Sequence, residues 1–282
     1  MRVGSNLSGI DLTASHNLMR SMAALSQSST RMSTLRRINS GGDDPAGLIA
    51  LENMQAELTA LKQASYNASR AVGTVQVADS GLSQVSDLLN TIRGNVVSAA
   101  GGGLSDAELA AKQIETDAAL QAINRISNTT SFSGKKVLQG GSANFALSAD
   151  VSQISTLELP EASTTALGGA AGVLAELGSG GTFNLSSGNM ADAMSIVDEA
   201  SSQVLQARAD MGAFEKYTID STQRILDDME VNLTSAASSI GDVDMAEESS
   251  RLLRAEILVK TGIATLMIAG QSRGMIGGLF EQ

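Results

Sequence analysis

Apolar residues recur along this chain at the spacing of α-helices, and glycine-rich breaks separate one helical stretch from the next. In residues 1–40, apolar and small residues recur at steps of three, four or seven. This spacing places them on one helix face and predicts an amphipathic first helix that ends at Ser40-Gly41-Gly42. The apolar members of this stripe are Leu7, Ala14, Leu18, Leu25, Met32 and Leu35.

The longest helical pattern follows this first break. Apolar residues recur every seven positions from Met54 to Val96, and no proline interrupts residues 46–100. The pattern predicts one helix about 80 Å long. A return helix begins near Met190 with alternating steps of three and four, as in a coiled-coil seam. The residues predicted to pair these two helices are Met54, Leu61, Val75, Leu82, Leu89, Val197, Val204 and Met211.

Two further segments complete the pattern. Residues 141–189 contain no lysine or arginine, and their glycines and short alternating runs predict a small, exposed, substitution-tolerant insert with a few strands. Residues 241–282 carry a last amphipathic helix. Its apolar residues include Leu253, Ile257, Ile263, Leu266 and Met267.

These stretches predict a mainly α fold, in which a long antiparallel coiled-coil helical rod carries paired terminal helices and a small β-rich insert. The first outer helix would pair with the last, and the two inner helices with each other. The predicted segments are an amino-terminal arm (1–40), rod helices with the start of a hairpin (41–140), the insert (141–189), a rod helix (190–240) and a carboxy-terminal arm (241–282).

Two breaks separate the arms from the rod, and both have the composition of a helix joint. Asp44 can cap the helix that follows it, and Pro45 suits the first helical position because its missing N–H costs nothing there. Asp244 is the corresponding cap, and Glu247 forms a capping-box-like pair with it. The predicted joint residues are Gly41, Gly42, Asp43, Asp44 and Pro45, and then Gly241, Asp242, Asp244 and Glu247.

The alternative is that these acids bind a metal ion. Adjacent aspartates rarely suffice for this, because the ion needs further ligands that converge from elsewhere in the fold. The interpretation as caps is therefore favoured over a metal site for Asp43 and Asp44 and for the second cluster. That cluster comprises Asp242, Asp244, Glu247 and Glu248.

Composition narrows the possible functions. The chain has no cysteine, one histidine (His16) and only 2% aromatic residues, so we expect no catalytic set, no cofactor and no metal. The net charge of −11 disfavours a nucleic-acid binder. The first forty residues nevertheless hold five arginines and one acid, Asp11. This basic arm could contact a membrane, RNA or an acidic face of a neighbouring copy, and we favour the neighbouring copy.

The chain also lacks the pattern of a membrane or Sec-exported protein. The residues 257–270, "ILVKTGIATLMIAG", are too few to span a bilayer and include Lys260. The amino terminus has no apolar core of a signal peptide. We expect no membrane insertion, and either a soluble protein or export by a route that does not use such a signal.

Several motifs resemble those of the bacterial flagellins. Arg37 to Leu48, "RINSGGDDPAGL", resembles the flagellin signature, and Ile123 to Leu138, "INRISNTTSFSGKKVL", resembles the end of the amino-terminal rod domain. "RADMGAFEKY" at residues 208–217 resembles the carboxy-terminal rod motif. The segment 240–258 and the Leu279-Phe280 ending resemble the terminal helix.

The resemblance implies a structural subunit, not an enzyme, that polymerises with itself into the extracellular flagellar filament used for swimming. It further implies type III export with a chaperone, contacts with the cap and hook-junction proteins, and terminal arms that fold on assembly. The arm stripes above would then form the polymerisation interface. The alternatives are a hook–filament junction protein and a membrane-active amphipathic protein.

Some flagellins are sensed by an animal innate immune receptor through their inner helices. By the resemblance, the corresponding positions here are Thr91, Asn95 and Glu115. Only Glu115 keeps the usual residue, since an arginine and a leucine are missing at the other two. The resemblance therefore implies weak sensing.

Overall fold

The computed structural model describes the backbone of residues 3–150, 152–187 and 189–280, and the side chains of residues 12–150, 152–187 and 189–271. The side chains of Leu7, Leu279 and Phe280, about which the sequence makes predictions, lie outside these described parts, and so do the first two and last two residues as a whole. The described chain is mainly helical with three short antiparallel strand pairs, which confirms the predicted fold class. It divides into two compact units, residues 1–56 with 232–282, and residues 57–231.

The helices follow the predicted order. The α-helices are α1 (Val3–Thr34), α2 (Pro45–Ala100), α3 (Asp106–Thr129), α4 (Met190–Ala213), α5 (Asp220–Gly241) and α6 (Met245–Phe280), with a π-helix at Phe214–Ile219 and a 3-10 helix at Leu174–Leu177. The strands pair as β1 (Ser131–Phe132) with β2 (Lys135–Lys136), β3 (Ser142–Ala146) with β4 (Ile154–Glu158), and β5 (Gly168–Gly169) with β6 (Gly172–Val173).

The second unit is organised around an antiparallel pairing of α2 with α4 and α5. Three ion pairs mark the register: Lys62 with Glu230 at 3.6 Å, Asp79 with Arg208 at 2.7 Å, and Arg93 with Asp198 at 3.2 Å. As α2 advances, its partners recede along the chain, which defines the antiparallel direction. The pairs are partly exposed and contribute little stability individually.

Apolar burial between these helices supplies most of the stability of the second unit. All predicted seam residues except Met54 are buried, and Met54 is half-buried in the first unit. The residues that join one continuous core are Val75, Leu82, Leu89, Val197, Val204 and Met211. The antiparallel helix α3 adds Ala119, Leu120 and Ile123 to the same core.

The helix α3 begins with a capping box. The Ser105 hydroxyl accepts a hydrogen bond from the Glu108 N–H, and the Glu108 carboxylate accepts one from the Ser105 N–H at 2.8 Å. The bond that the Glu108 carboxylate accepts from the Ser105 N–H, followed by the bond that it accepts from the Ser105 hydroxyl, holds the pKa of Glu108 below its usual value. Ser105 is the N-cap because it directly precedes the first helical residue, Asp106.

The return helix departs from the predicted pattern at a π-turn. The three- and four-residue steps predict that Thr218, Ser221 and Ile225 continue the seam. Instead, Ile225 is 56% exposed, whereas Ile219 and Leu226 are buried. The cause is the π-helix at Phe214–Ile219, whose wider turn adds a residue and moves the buried face one position along the chain.

The insert is more integrated than the sequence predicts. Its buried side chains are those of Leu147, Leu157, Ala162, Thr164, Leu167, Leu174, Leu177 and Leu185, and all but Thr164 join the core cluster. Buried α3 side chains also hold its backbone. Gln113 donates to the Leu177 carbonyl and accepts from the Leu185 N–H, at 2.9 and 2.8 Å. The prediction of an exposed, tolerant insert is therefore wrong for these buried leucines.

Candidate functional site

The first unit presents the surface that the sequence marks for self-association. Its helices α1 and α6 pack against each other, and Ala255 and Val259 of α6 are buried in the seam between them. A Cβ on Gly262 would lie 3.2 Å from Leu18 Cδ1, so the absence of a side chain allows close approach there. The α1 stripe Ala14, Leu18, Leu25 and Met32 is half-buried on this side.

Helix α6 carries a second apolar face, opposite the seam. Leu253, Ile257 and Met267 are 55%, 62% and 66% exposed. At 3.6 residues per turn these positions fall within about 80° of arc, on the side away from Ala255 and Val259. Two other predicted interface residues differ: Ile263 is exposed at the flank of this face, whereas Leu266 is half-buried on the seam side, with Ala255 and Val259.

Helix α1 repeats this arrangement with residues that the sequence analysis missed. Leu12 and Met19 are each 64% exposed and lie seven positions apart, opposite the stripe that carries Leu18. Met22 is also exposed at the flank of this face. The signal was present as a second seven-residue repeat outside the main stripe. The predicted interface thus mixes two faces, one covered within the chain and one left to solvent.

The first joint forms a compact cap. The Asp44 carboxylate accepts from the Gly47 N–H at 2.9 Å, and α2 begins at Pro45. A Cβ on Gly47 would lie 2.5 Å from Asp44 Oδ2 and 2.6 Å from Ile38 Cδ1, so a side chain there would displace the capping carboxylate or Ile38. Asp44 therefore acts on the start of the helix through its backbone amides.

The second joint is only half of the predicted capping box. Asp244 Oδ1 accepts from the N–H groups of Ala246 and Glu247, at 2.9 and 3.2 Å. The Glu247 carboxylate instead pairs with Arg251, four residues later, at 2.5 Å. The nearby guanidinium is a stronger partner than a neutral amide. Asp242 bonds the Ser238 hydroxyl at the end of α5.

The two joints lie side by side and hydrogen-bond to each other. Arg36 and Asp242 form an antiparallel bridge, and the Arg37 N–H donates to the Gly241 carbonyl at 2.7 Å. The Arg37 guanidinium donates twice to the carbonyl of Ile240, at 2.5 and 3.0 Å. The sequence did not identify this role, because its partner lies 203 residues away.

Helix α1 also ends earlier than predicted. Its last residue is Thr34, and Leu35 adopts a left-handed φ of 57°, so Leu35 does not continue the helical stripe. The Leu35 carbonyl accepts from the Val243 N–H at 3.2 Å. This contact with the second joint offsets the conformational cost of a non-glycine residue in this region.

Asp43 organises the first joint. Its carboxylate accepts from the Gln27 side chain at 2.8 Å and from the Ser40 hydroxyl at 3.0 Å, and it also accepts from the N–H groups of Asn39 and Ser40. The Gln27 bond, followed by the Ser40 bond, holds the pKa of Asp43 below its usual value. Gly41 and Gly42 are exposed within the turn that Asp43 closes.

We expect Asp43→Asn to remove part of the acid sensitivity of the first unit. A carboxyl with a lowered folded-state pKa stabilises the fold fully above its unfolded pKa of about 4, and this contribution is lost as the pH falls through the folded value. Thermal unfolding followed by far-UV circular dichroism between about pH 5 and about pH 2 measures this dependence. Asp228→Asn, at an exposed position, is the control. Identical pH profiles for Asp43→Asn and the wild type would contradict the prediction.

The structure also bears on the alternative that the acidic residues bind a metal ion. Among residues with described side chains, no group of three or more His, Asp or Glu side chains is placed to hold a metal ion.

The receptor-equivalent positions lie in the second unit. Thr91 and Glu115 are exposed, and Glu115 pairs with Lys112 at 2.9 Å. Asn95 is buried and donates to the Thr116 hydroxyl at 3.4 Å. The structure therefore places two of the three receptor-equivalent positions at the surface.

Known proteins resemble this chain over nearly its whole length. The bacterial flagellin N-terminal helical region matches residues 6–143, and the bacterial flagellin C-terminal helical region matches residues 194–276. A flagellin of Bacillus subtilis is 32% identical over 297 aligned positions, covering 96% of this chain and 97% of the relative. The flagellar filament 33 kDa core protein of Treponema phagedenis is 29% identical, with the same coverage of each chain.

A solved structure supports the fold independently. A structure described as a flagellar hook-associated protein from Vibrio parahaemolyticus has a TM-score of 0.59 and 18% identity, and the match covers 71% of this chain and all of that one. At this identity the likeness concerns the fold alone. The two family matches and the Bacillus relative show that this chain belongs to the bacterial flagellin family.

Proposed function

We propose that this flagellin, a structural subunit of the flagellar filament, polymerises through the second apolar faces of α1 and α6. The observation that carries this proposal is the pair of helices that are apolar on two opposite sides. Only one side of each is covered within the chain. Burial of one large side chain contributes about 2 kcal/mol, so contacts that cover several such residues favour association.

The geometry of a filament follows from how such faces meet. A contact between different surfaces of successive copies does not close on itself and yields an open helical polymer. The exposed faces of α1 and α6 carry different residues, which suits this kind of contact. The filament role itself agrees with the Treponema phagedenis relative, which is described as a flagellar filament core protein.

Electron microscopy of the purified protein, added to filament seeds, tests the proposal. We expect the protein to elongate the seeds into filaments with a helical lattice. A protein that binds the seed end but never elongates it would instead support the hook–filament junction alternative. A protein that neither binds nor elongates seeds would contradict the proposal.

The membrane-active alternative depends on the amphipathic last helix. Among the described residues, no helix combines the length and apolarity needed to cross a bilayer. The second face of α6 could still lie on a membrane surface. Leakage of dye-loaded liposomes, together with failure to elongate seeds, would favour that alternative.

We also propose the segments and partners that the family implies. The arms at 1–40 and 241–282 would line the filament core, the segments 41–140 and 190–240 would form the surrounding tube, and the segment 141–189 would face outward. Each arm would complete its folding on assembly, because a helix that cannot cover its apolar faces is marginal in water. Type III export, a chaperone on the exposed face of α6, and contacts with cap and hook-junction proteins belong to the same proposal.

Recognition by the innate immune receptor is proposed to be weak. Thr91 lacks the guanidinium that the family pattern supplies, and Asn95 is turned into the core of its unit. We expect the purified monomer to activate receptor-bearing reporter cells only at high dose, and Thr91→Arg to increase the response. Strong activation by the wild-type monomer at low dose would contradict this prediction.

A further inference from the structure

One flank of the α1–α6 pair contains a groove of about 390 Å³ that is rich in arginine. Arg20 and Arg31 of α1 and Arg251 and Arg254 of α6 line it, and we call it the arginine groove. The one acidic residue that lines it is Glu248, which is 3% exposed. Local positive charge of this density contrasts with a chain whose formal net charge is −11.

Contacts within the chain satisfy only part of this charge. Arg31 lies 3.9 Å from both Asp43 and Glu248, and Arg251 pairs with Glu247 at 2.5 Å. Arg20 and Arg254 are exposed and form no ion pair with a described residue. Glu248 Oε1 and Arg31 Nε are buried without a hydrogen-bond partner among the described residues. The groove therefore retains two free guanidinium groups and unsatisfied polar atoms.

A matching acidic surface occurs on α5 of the same protein. Asp227 and Asp228 are adjacent and exposed, and neither carboxylate pairs with a described residue. The other adjacent acids of the described chain differ, because at least one member of each pair is engaged: Asp44 caps α2, Asp198 pairs with Arg93, and Glu247 pairs with Arg251. Exposed Ile225 and Met229 flank the two aspartates.

We propose that the arginine groove of one copy binds the Asp227–Asp228 surface of a neighbouring copy during filament growth. This inference rests on the proposed polymerisation and adds a charged contact to the apolar one. Guanidinium and carboxylate groups pair with favourable geometry and strong hydrogen bonds. Complementary charges at the rim of an interface act mainly on the association rate and on the choice of partner, and salt weakens them. The groove is also lined by Ala24 and Ala255, whose small side chains leave room for a side chain of the neighbour.

Reciprocal charge reversal tests the contact in seeded elongation at low ionic strength. We expect Arg20→Glu with Arg254→Glu to slow elongation about tenfold or more, and Asp227→Lys with Asp228→Lys to do the same. Combining all four substitutions should restore elongation close to the wild-type rate, because the pairing is re-formed with exchanged signs. Both arginines and both aspartates are exposed, so we expect these variants to fold.

The matched control keeps the net charge but not the pairing. It combines Asp227→Lys and Asp228→Lys with Arg125→Glu and Lys135→Glu, two exposed cations outside the groove. Its formal net charge is again −11, since two reversals in each direction cancel. We expect this control to elongate as slowly as the aspartate variant, which separates pairing from general charge repulsion.

The outcomes separate this inference from the proposed function. If the wild type fails to elongate seeds, the proposed function fails. If the wild type elongates but the arginine variant elongates equally fast, or the matched fourfold variant is no faster than its control, the groove does not bind this surface. Binding of RNA or anionic vesicles by the wild type, with elongation unchanged in the arginine variant, would assign the groove to another partner and overturn the inference.

Discussion

Replacing Ile257 with aspartate is expected to abolish filament growth while leaving the helices of the monomer intact. Ile257 is 62% exposed on the second apolar face of α6, so the substitution removes little burial within the chain. Between copies, the loss of its burial costs about 2 kcal/mol, and the buried carboxylate adds a desolvation cost. We therefore expect the critical concentration for assembly to rise more than about thirtyfold.

Two controls define what this result means. Ile257→Leu keeps an apolar side chain and is expected to assemble as the wild type does. Thr265→Asp adds the same charge at an exposed α6 position outside the face and is expected to have a small effect. Sedimentation of filaments over a concentration series gives the critical concentrations. Wild-type assembly by Ile257→Asp would exclude this face from the contact between copies.

The second large effect is expected in the second unit. Leu89→Ala empties a fully buried position in the core shared by α2, α3 and α4. Removal of a buried leucine side chain leaves a cavity and typically costs about 3 kcal/mol. For a unit of this size the unfolding temperature should fall by about 10 °C.

An exposed apolar residue on the same helix provides the control. Val97 is 54% exposed, and Val97→Ala is expected to change the free energy of unfolding by less than about 0.5 kcal/mol. Differential scanning calorimetry of both variants measures the difference. Equal destabilisation by the two variants would show that local helix propensity, and not burial at the seam, sets the stability of α2.

The sequence predicts the helices well where a single period persists. Along α2 the seven-residue repeat marks Leu61, Val75, Leu82 and Leu89, and all four are buried. The same reasoning fails beyond Phe214, because the π-helix changes the period and its own residues, Phe214–Ile219, include no glycine or proline. Periodicity records the buried face only while the helix keeps 3.6 residues per turn.

At the joints, the contacts between residues that are close in sequence could be predicted, whereas the contacts between distant residues could not. Asp44 and Asp244 act on amides two or three residues away, so composition and spacing identify them. The contacts of Arg37 with Ile240 and of Leu35 with Val243 depend on the tertiary fold. A single sequence does not indicate which distant carbonyl an arginine will reach.

In the arms, the sequence predicts apolar helix faces but does not identify the helices that cover them. The dominant stripe of α1 was predicted, but a stripe reports only that a face is buried and not which molecule covers it. Leu18 packs within the chain, whereas Leu253 and Ile257 of α6 are exposed. The pairing of α1 with α6 was needed to distinguish the covered faces from the faces available to other copies.

The two joints hydrogen-bond to each other, so neither joint is complete without the other. Arg37 reaches a carbonyl that is 203 positions further along the chain, so the amino-terminal turn stays incomplete until Ile240 is present and in place. A chain that is truncated before this residue lacks the acceptor, so the first joint cannot form these two hydrogen bonds. Closure of the first joint therefore requires a chain that extends at least as far as Ile240.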